Sequence, residues 1–357
     1  MKPQTLQKTA LALLVGWYAA NAAAYSEQGQ AGNTKSWESA EYLKDWGLTS
    51  MNASTAYALG FNGSGVKIGV MDSGVLLNHP EFQDGRIHVV KTEGTYSKDG
   101  MRYPDASVGN GPINKNEPVK NGKRNFDKTD NGIFTKGEAF NIDGAWHKYT
   151  NDAHGTHVGG TMAASRDGNE MHGVAFGANL YSANTGGNDN MTYGPNQDYD
   201  FFLQGYSALA DAGAKVINNS WGSNRRVNSS FAGAQGYKPK YDWRDVPEYG
   251  VQYYDVPKAP DPISSPAAHI YLSNLGEAEK AYYQFVMSGE KNFVDAAYEV
   301  AKNKQVIQVF TAGNRSMMAE SFTRAMLPYF RPDAEKYWVN VTGQVGGEGY
   351  PNDSNDD

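Results

Sequence analysis

The stretch VKIGVMD, residues 66–72, is a short apolar run with no polar alternation, and Ser73-Gly74 follows it at once as a sharp turn. A run of this length with no solvent-facing side reads as a strand buried on both faces, the kind that fills parallel sheets. Four further runs share its character: ANLYSAN (178–184), AKVINNSW (214–221), QVIQVFTAGN (305–314) and KYWVNVTGQV (336–345). Helical patterns fall between them. DYDFFLQGYSALADAG precedes the third run and stops at Gly213, and Phe293, Ala296, Ala297, Val300 and Ala301 recur at helical spacing before the fourth. Strand and helix in alternation predict an α/β fold, a doubly wound and mostly parallel sheet with helices on both faces.

In such sheets ligands bind beyond the carboxyl ends of the strands. Asp72, Ser220 and Asn314 stand at three of those ends. Each alone is ordinary, since Asp and Asn beside glycine make turns and caps. Between the first two lies NDAHGTHVGGTMAAS (151–165), with His154 and His157 three apart. A zinc helix spaces its histidines four apart around a glutamate, and neither that spacing nor a third ligand is present. Gly155, Gly159 and Ala163 form a stripe of small residues along one helix face, suited to close packing. The stripe accounts for a packed helix but not for a histidine at its entrance.

Taken in order, VKIGVMDSGV, HGTHVGGTMAA, GVAFGANLYSA, VINNSWG and VFTAGN resemble the motif blocks of subtilisin-like serine proteases. The resemblance spans about residues 50–345 apart from two long insertions, and those insertions, the N-terminal signal peptide and the lead-in WGL…AYALGFNGSGV look most like the subtilase passenger domains of bacterial autotransporters. It implies Asp72 as the orienting aspartate, His154 as general base and His157 as a helix-building residue without chemistry. It also implies Asn314 as oxyanion donor, Ser220, Trp221 and Gly222 as the strand that pairs with substrate backbone, and Thr311, Ala312 and Gly313 as a wall of the primary specificity pocket. Trp221 stands where a smaller apolar residue is common. The residue types suit acyl transfer: a serine hydroxyl is a weak nucleophile, an imidazole can take its proton, and a buried carboxylate fixes the tautomer. The chain order Asp, His, Ser is the subtilisin order.

The resemblance places the nucleophile in a G-T-S-M-A block after the oxyanion asparagine, and residues 315–357 contain none. Thr49-Ser50-Met51 in LTSMNAS (48–54) lacks the glycine and precedes Asp72, so Ser50 is set aside. The chain therefore reads as a C-terminally truncated subtilase domain, inactive as given. The alternative is a catalytically dead, subtilase-like module that holds peptides along Ser220–Gly222.

The remaining features bound the setting. A net charge of -7 argues against nucleic acid as the main partner, and the resemblance implies polypeptide substrates. Lys2 and Lys8, the run ALALLVGWYAA and the small residues Ala22-Ala23-Ala24 form a signal peptide over residues 1–24, too short to span a bilayer. Secretion or cell-surface display follows, and the resemblance to autotransporter subtilases implies a Gram-negative-type route, with an outer-membrane barrel beyond residue 357 left open. The absence of cysteine fits a domain held by its own core. Residues 25–48 read as a lead-in and 49–357 as the peptidase domain, with surface insertions at about 91–150 and 224–275. Catalysis of this kind needs no cofactor. Family members carry structural calcium on loop carboxylates, and Asp127, Asp130 and Asp143 in the first insertion are unassigned candidates.

Overall fold

The computed structural model describes residues 29–101, 133–146, 153–185, 198–221, 291–311, 324 and 327–341, with short strand pieces between 227 and 268. Six strands make the central sheet: β1 (Lys67–Asp72), β2 (Ile87–Val89), β3 (Asn179–Asn184), β4 (Val216–Asn219), β5 (Ile307–Thr311) and β6 (Trp338–Val341). Their order is β6-β5-β4-β1-β3-β2, and every pairing is parallel. The expected α/β architecture is what forms, and each predicted apolar run contains one of the strands.

Strand parity explains the layers. On β1, Val70 faces a cluster with Leu180, Val158 and Ala163, whereas Met71 faces the opposite cluster with Ala183, Ile217, Phe202 and Val294. The first cluster packs helix α1 (His154–Ala163), and the second packs α2 (Tyr199–Asp211) and α3 (Phe293–Lys304). Both faces of β1 are thus covered, as an unalternated run requires. On the α1 face, β4 to β6 contribute Val216, Val309, Val339 and Val341, and the last two remain 44% and 51% exposed.

The helices start where local chemistry places them. Asp198 caps α2 by accepting from Phe201 N, and Asn292 and Asp295 form a reciprocal capping box on α3.

The segment read as a surface insertion from residue 91 is not surface at its ends. Lys91–Thr95 pairs antiparallel with Ala139–Asp143, and Tyr96 and Phe140 lie in the main core cluster. Phe140 packs edge-on against Phe201 of α2, and Thr92 is fully buried. Ahead of β1, three short helices (Ala40–Lys44, Trp46–Ser50, Ala53–Ala58) gather Tyr42, Leu48 and Tyr57 into a satellite cluster with Trp37, Val174 and Phe176. Most of the second predicted insertion, 224–275, lies outside the described residues.

Candidate active site

The chain reverses its winding direction about β1, so the crevice beyond its carboxyl end is the expected ligand site. Asp72 ends β1 there, fully buried. One of its carboxylate oxygens accepts from His154 Nδ1 at 2.9 Å and from Ser73 N at 2.7 Å. A carboxylate in this setting must be compensated by donors. The His154 ring retains 35% side-chain exposure, and its Nε2 lies on the side of the ring away from the Asp72 bond.

Small residues make that distance short. A Cβ on Gly155 would lie 2.6 Å from Gly74 O and 3.0 Å from Ser73 N, and one on Gly159 would lie 3.1 Å from Val75 Cγ1. The predicted stripe is therefore the face by which α1 lies against the end of β1. Gly74 turns the chain at φ +91°, and a Cβ there would meet Ala145 O at 2.5 Å.

The entrance of α1 carries a residue that sequence reasoning missed. The helix has Ala153 at its N-cap position and no side-chain cap bond. Ser73 supplies the missing acceptor, its Oγ taking the Gly155 N–H at 2.8 Å, while Thr156 Oγ1 takes the Leu76 N–H at 3.0 Å. The helix and the turn after β1 thus cap each other. The one signal available was negative, a helix start with Ala where Ser, Thr, Asp or Asn belongs. Thr185 adds a further clasp, its N–H and hydroxyl both donating to the Asp72 carbonyl at 2.7 and 3.1 Å.

The other predicted residues divide. Ser220 is half-buried after β4 and accepts from Asn218 Nδ2 at 2.8 Å. The Trp221 side chain turns into the core, against Phe202 and Phe293, and its Nε1 donates to Met71 O at 2.7 Å. Any part Trp221 takes in holding peptide therefore falls to its main chain. Thr311 ends β5. Gly222, Ala312, Gly313 and Asn314 lie outside the described residues. His157 is exposed on α1, and Ser50 is exposed at a lead-in helix end. Of the calcium candidates only Asp143 is described, and it accepts from Ala145 N as a turn residue. No group of three His, Asp or Glu among the described residues is placed to hold a cation.

The strands that carry Ser220 and Thr311 are locked by a buried amide. Asn219 accepts from Tyr206 OH at 2.8 Å and donates to Gln308 Oε1 at 3.1 Å and Val309 O at 3.2 Å.

The profile described as "Subtilase family" matches residues 63–345. The chain belongs to the subtilase family. This subtilase is 29% identical over 343 residues to an extracellular serine protease of Serratia marcescens, covering 94% of this chain and 26% of that protein. It is 27% identical over 276 residues to bacillopeptidase F of Bacillus subtilis, covering 72% of this chain and 16% of that one. The subtilase thus spans about a quarter or less of the length of these relatives. Among solved structures, the epidermin leader peptide processing serine protease of Staphylococcus aureus aligns at TM-score 0.37 and 17% identity, over 85% of this chain and 52% of that one. No helix among the subtilase's described residues is long and apolar enough to cross a membrane.

Proposed function

We propose that these residues form the base-bearing part of an exported serine endopeptidase. The observation that carries the reading is the buried Asp72 carboxylate bonded to His154 Nδ1 at the switch point of the sheet. In this reading Asp72 holds the Nδ1–H tautomer and stabilises the imidazolium, and His154 Nε2 takes the proton of the attacking serine and returns it to the leaving amine. Asn314 donates its amide to the oxyanion, and loss of such a donor costs roughly 10²–10³-fold in kcat. Substrate adds as a strand along Ser220–Gly222, with Thr311–Gly313 as a pocket wall. The nucleophile is not among residues 315–357, where no G-T-S-M-A block occurs. Export rests on the signal-like residues 1–24 and on the extracellular relative from Serratia.

Labelling with a serine-directed phosphonate tests the assignment. The 357-residue chain should show no labelling and no acyl-enzyme burst. A chain continued through a G-T-S-M-A segment shows both, and His154→Ala in it abolishes the burst. Cleavage by the 357-residue chain itself, dependent on His154, would overturn the account, because another serine would be attacking. Peptide binding with no burst in the continued chain would establish the non-catalytic module instead.

A further inference from the structure

Arg324 is a fully buried guanidinium in the layer behind β4 and β5. One of its terminal nitrogens donates to the Trp221 carbonyl, and its own carbonyl accepts from Trp338 Nε1 at 2.8 Å. Its guanidinium carbon lies 5.7 Å from the Trp221 ring centroid and 5.4 Å from that of Phe310. A guanidinium is costly to desolvate and cannot shed its proton, so aromatic faces and a carbonyl are the setting that makes such burial tolerable. Sequence reading had not singled out this residue.

What it holds matters more than its burial. Trp221 is gripped at both ends: its indole N–H is tied to Met71 O, next to Asp72, and its carbonyl is tied to Arg324. We propose that Arg324 is a positioning residue for the substrate strand, fixing the Trp221 main chain by drawing its carbonyl inward. The chain bends at Trp221, two residues after β4 ends, so holding its carbonyl fixes the backbone that leads out of Ser220. Arg324 touches no substrate in this scheme and acts through Trp221. The inference rests on the reading of Ser220–Gly222 as the substrate strand.

The experiment uses the 357-residue chain and fluorescein-labelled casein as an unfolded polypeptide probe. Binding is read by anisotropy, Tm by calorimetry, and exchange of the Trp221 indole N–H by NMR, assigned with Trp221→Phe. Arg324→Met fills similar volume and removes the buried charge, but takes this donor from the Trp221 carbonyl. It is expected to lower Tm by a few degrees and leave the chain folded at the assay temperature, while weakening casein binding roughly tenfold and speeding indole exchange. Arg324→Lys keeps one donor and the charge and should recover part of both losses, which serves if the Met variant fails to fold. Unchanged binding and exchange overturns the proposal. So does a loss of binding that appears only as the chain unfolds, the mark of a structural role. If the wild-type chain binds no casein, the substrate-strand reading fails, and indole exchange alone decides: faster in Met and recovered in Lys supports Arg324 as the Trp221 strut, unchanged overturns it.

Discussion

Replacing Gly155 by alanine should break the Asp72–His154 pair without touching either residue. The new Cβ would begin 2.6 Å from Gly74 O and 2.9 Å from Gly74 N, both backbone atoms that cannot rotate away. Relief to ordinary van der Waals contact, about 3.4 Å, moves the entrance of α1 outward by about 0.8 Å. Added to the present 2.9 Å between His154 Nδ1 and Asp72, that displacement gives about 3.7 Å, beyond hydrogen-bond range. Overpacking of this kind costs about 1–3 kcal/mol, against about 1 kcal/mol regained from alanine's helix propensity. Gly160, five positions on in the same helix, is the control, because nothing lies within 4 Å of its would-be Cβ. Gly160→Ala should therefore stabilise by about 0.5–1 kcal/mol. The assay pairs urea unfolding with NMR detection of the His154 Nδ1–H, which the Asp72 bond protects from exchange with water. If Gly155→Ala proves as stable as Gly160→Ala and keeps that proton protected, the close approach of α1 to the β1 turn is not what sets the pair.

Four other outcomes can be checked. Asn219→Leu should cost about 2–4 kcal/mol in urea unfolding, since it strands the Tyr206 hydroxyl and Gln308 inside the core; a cost under about 0.5 kcal/mol would mean the network does not lock β4 to β5. Burial and the nearby carboxylates of Asp167, Glu41, Glu170 and Asp84 push Glu81 up to about 7. Its folded value lies above its unfolded one, so its contribution is full below about pH 4.5 and is lost as pH rises through about 7; Glu81→Gln should raise Tm at pH 8 and leave it nearly unchanged at pH 4. Burial among Tyr42, Tyr57 and Phe176 lowers His172, the opposite case; its contribution is present above about pH 6.5 and lost on acidification, so His172→Phe should flatten the acid side of the stability profile. Finally, exported material should begin at or near Tyr25, and N-terminal sequencing that returns Met1 would refute the signal peptide.

The five apolar runs were legible because a strand buried on both faces has no polar positions to obscure it. The pair Asp72 and His154 was legible because both stand at element ends, in an order that resembles one family. Less was visible where a role depends on a distant neighbour. Nothing in KTEGT (91–95) marks Thr92 as core, since its burial comes from α2 packing across it. Ser73 as the cap of α1 needed the helix to be placed against the turn first. Trp221 read as a substrate-strand residue from its position, while its ring was destined for Phe202 and Phe293. Arg324 gave no periodic signal, and charge alone argued for solvent.

The clasp around Asp72 also sets a timetable for the newborn chain. β1 is the first strand of the sheet to be made, yet the groups that hold its end arrive late: His154 lies 82 residues on, Thr185 113 residues on, and the Trp221 indole 150 residues beyond Met71. At about 5–20 residues per second of synthesis, Asp72 waits several seconds for its histidine and longer for the rest. Throughout that interval both edges of the central strand are unpaired, and pairing at such separation is intrinsically slow. A polypeptide built this way leaves its central strand unpaired while it lengthens, and the end of β1 that carries Asp72 is fully held only once Trp221 has been made.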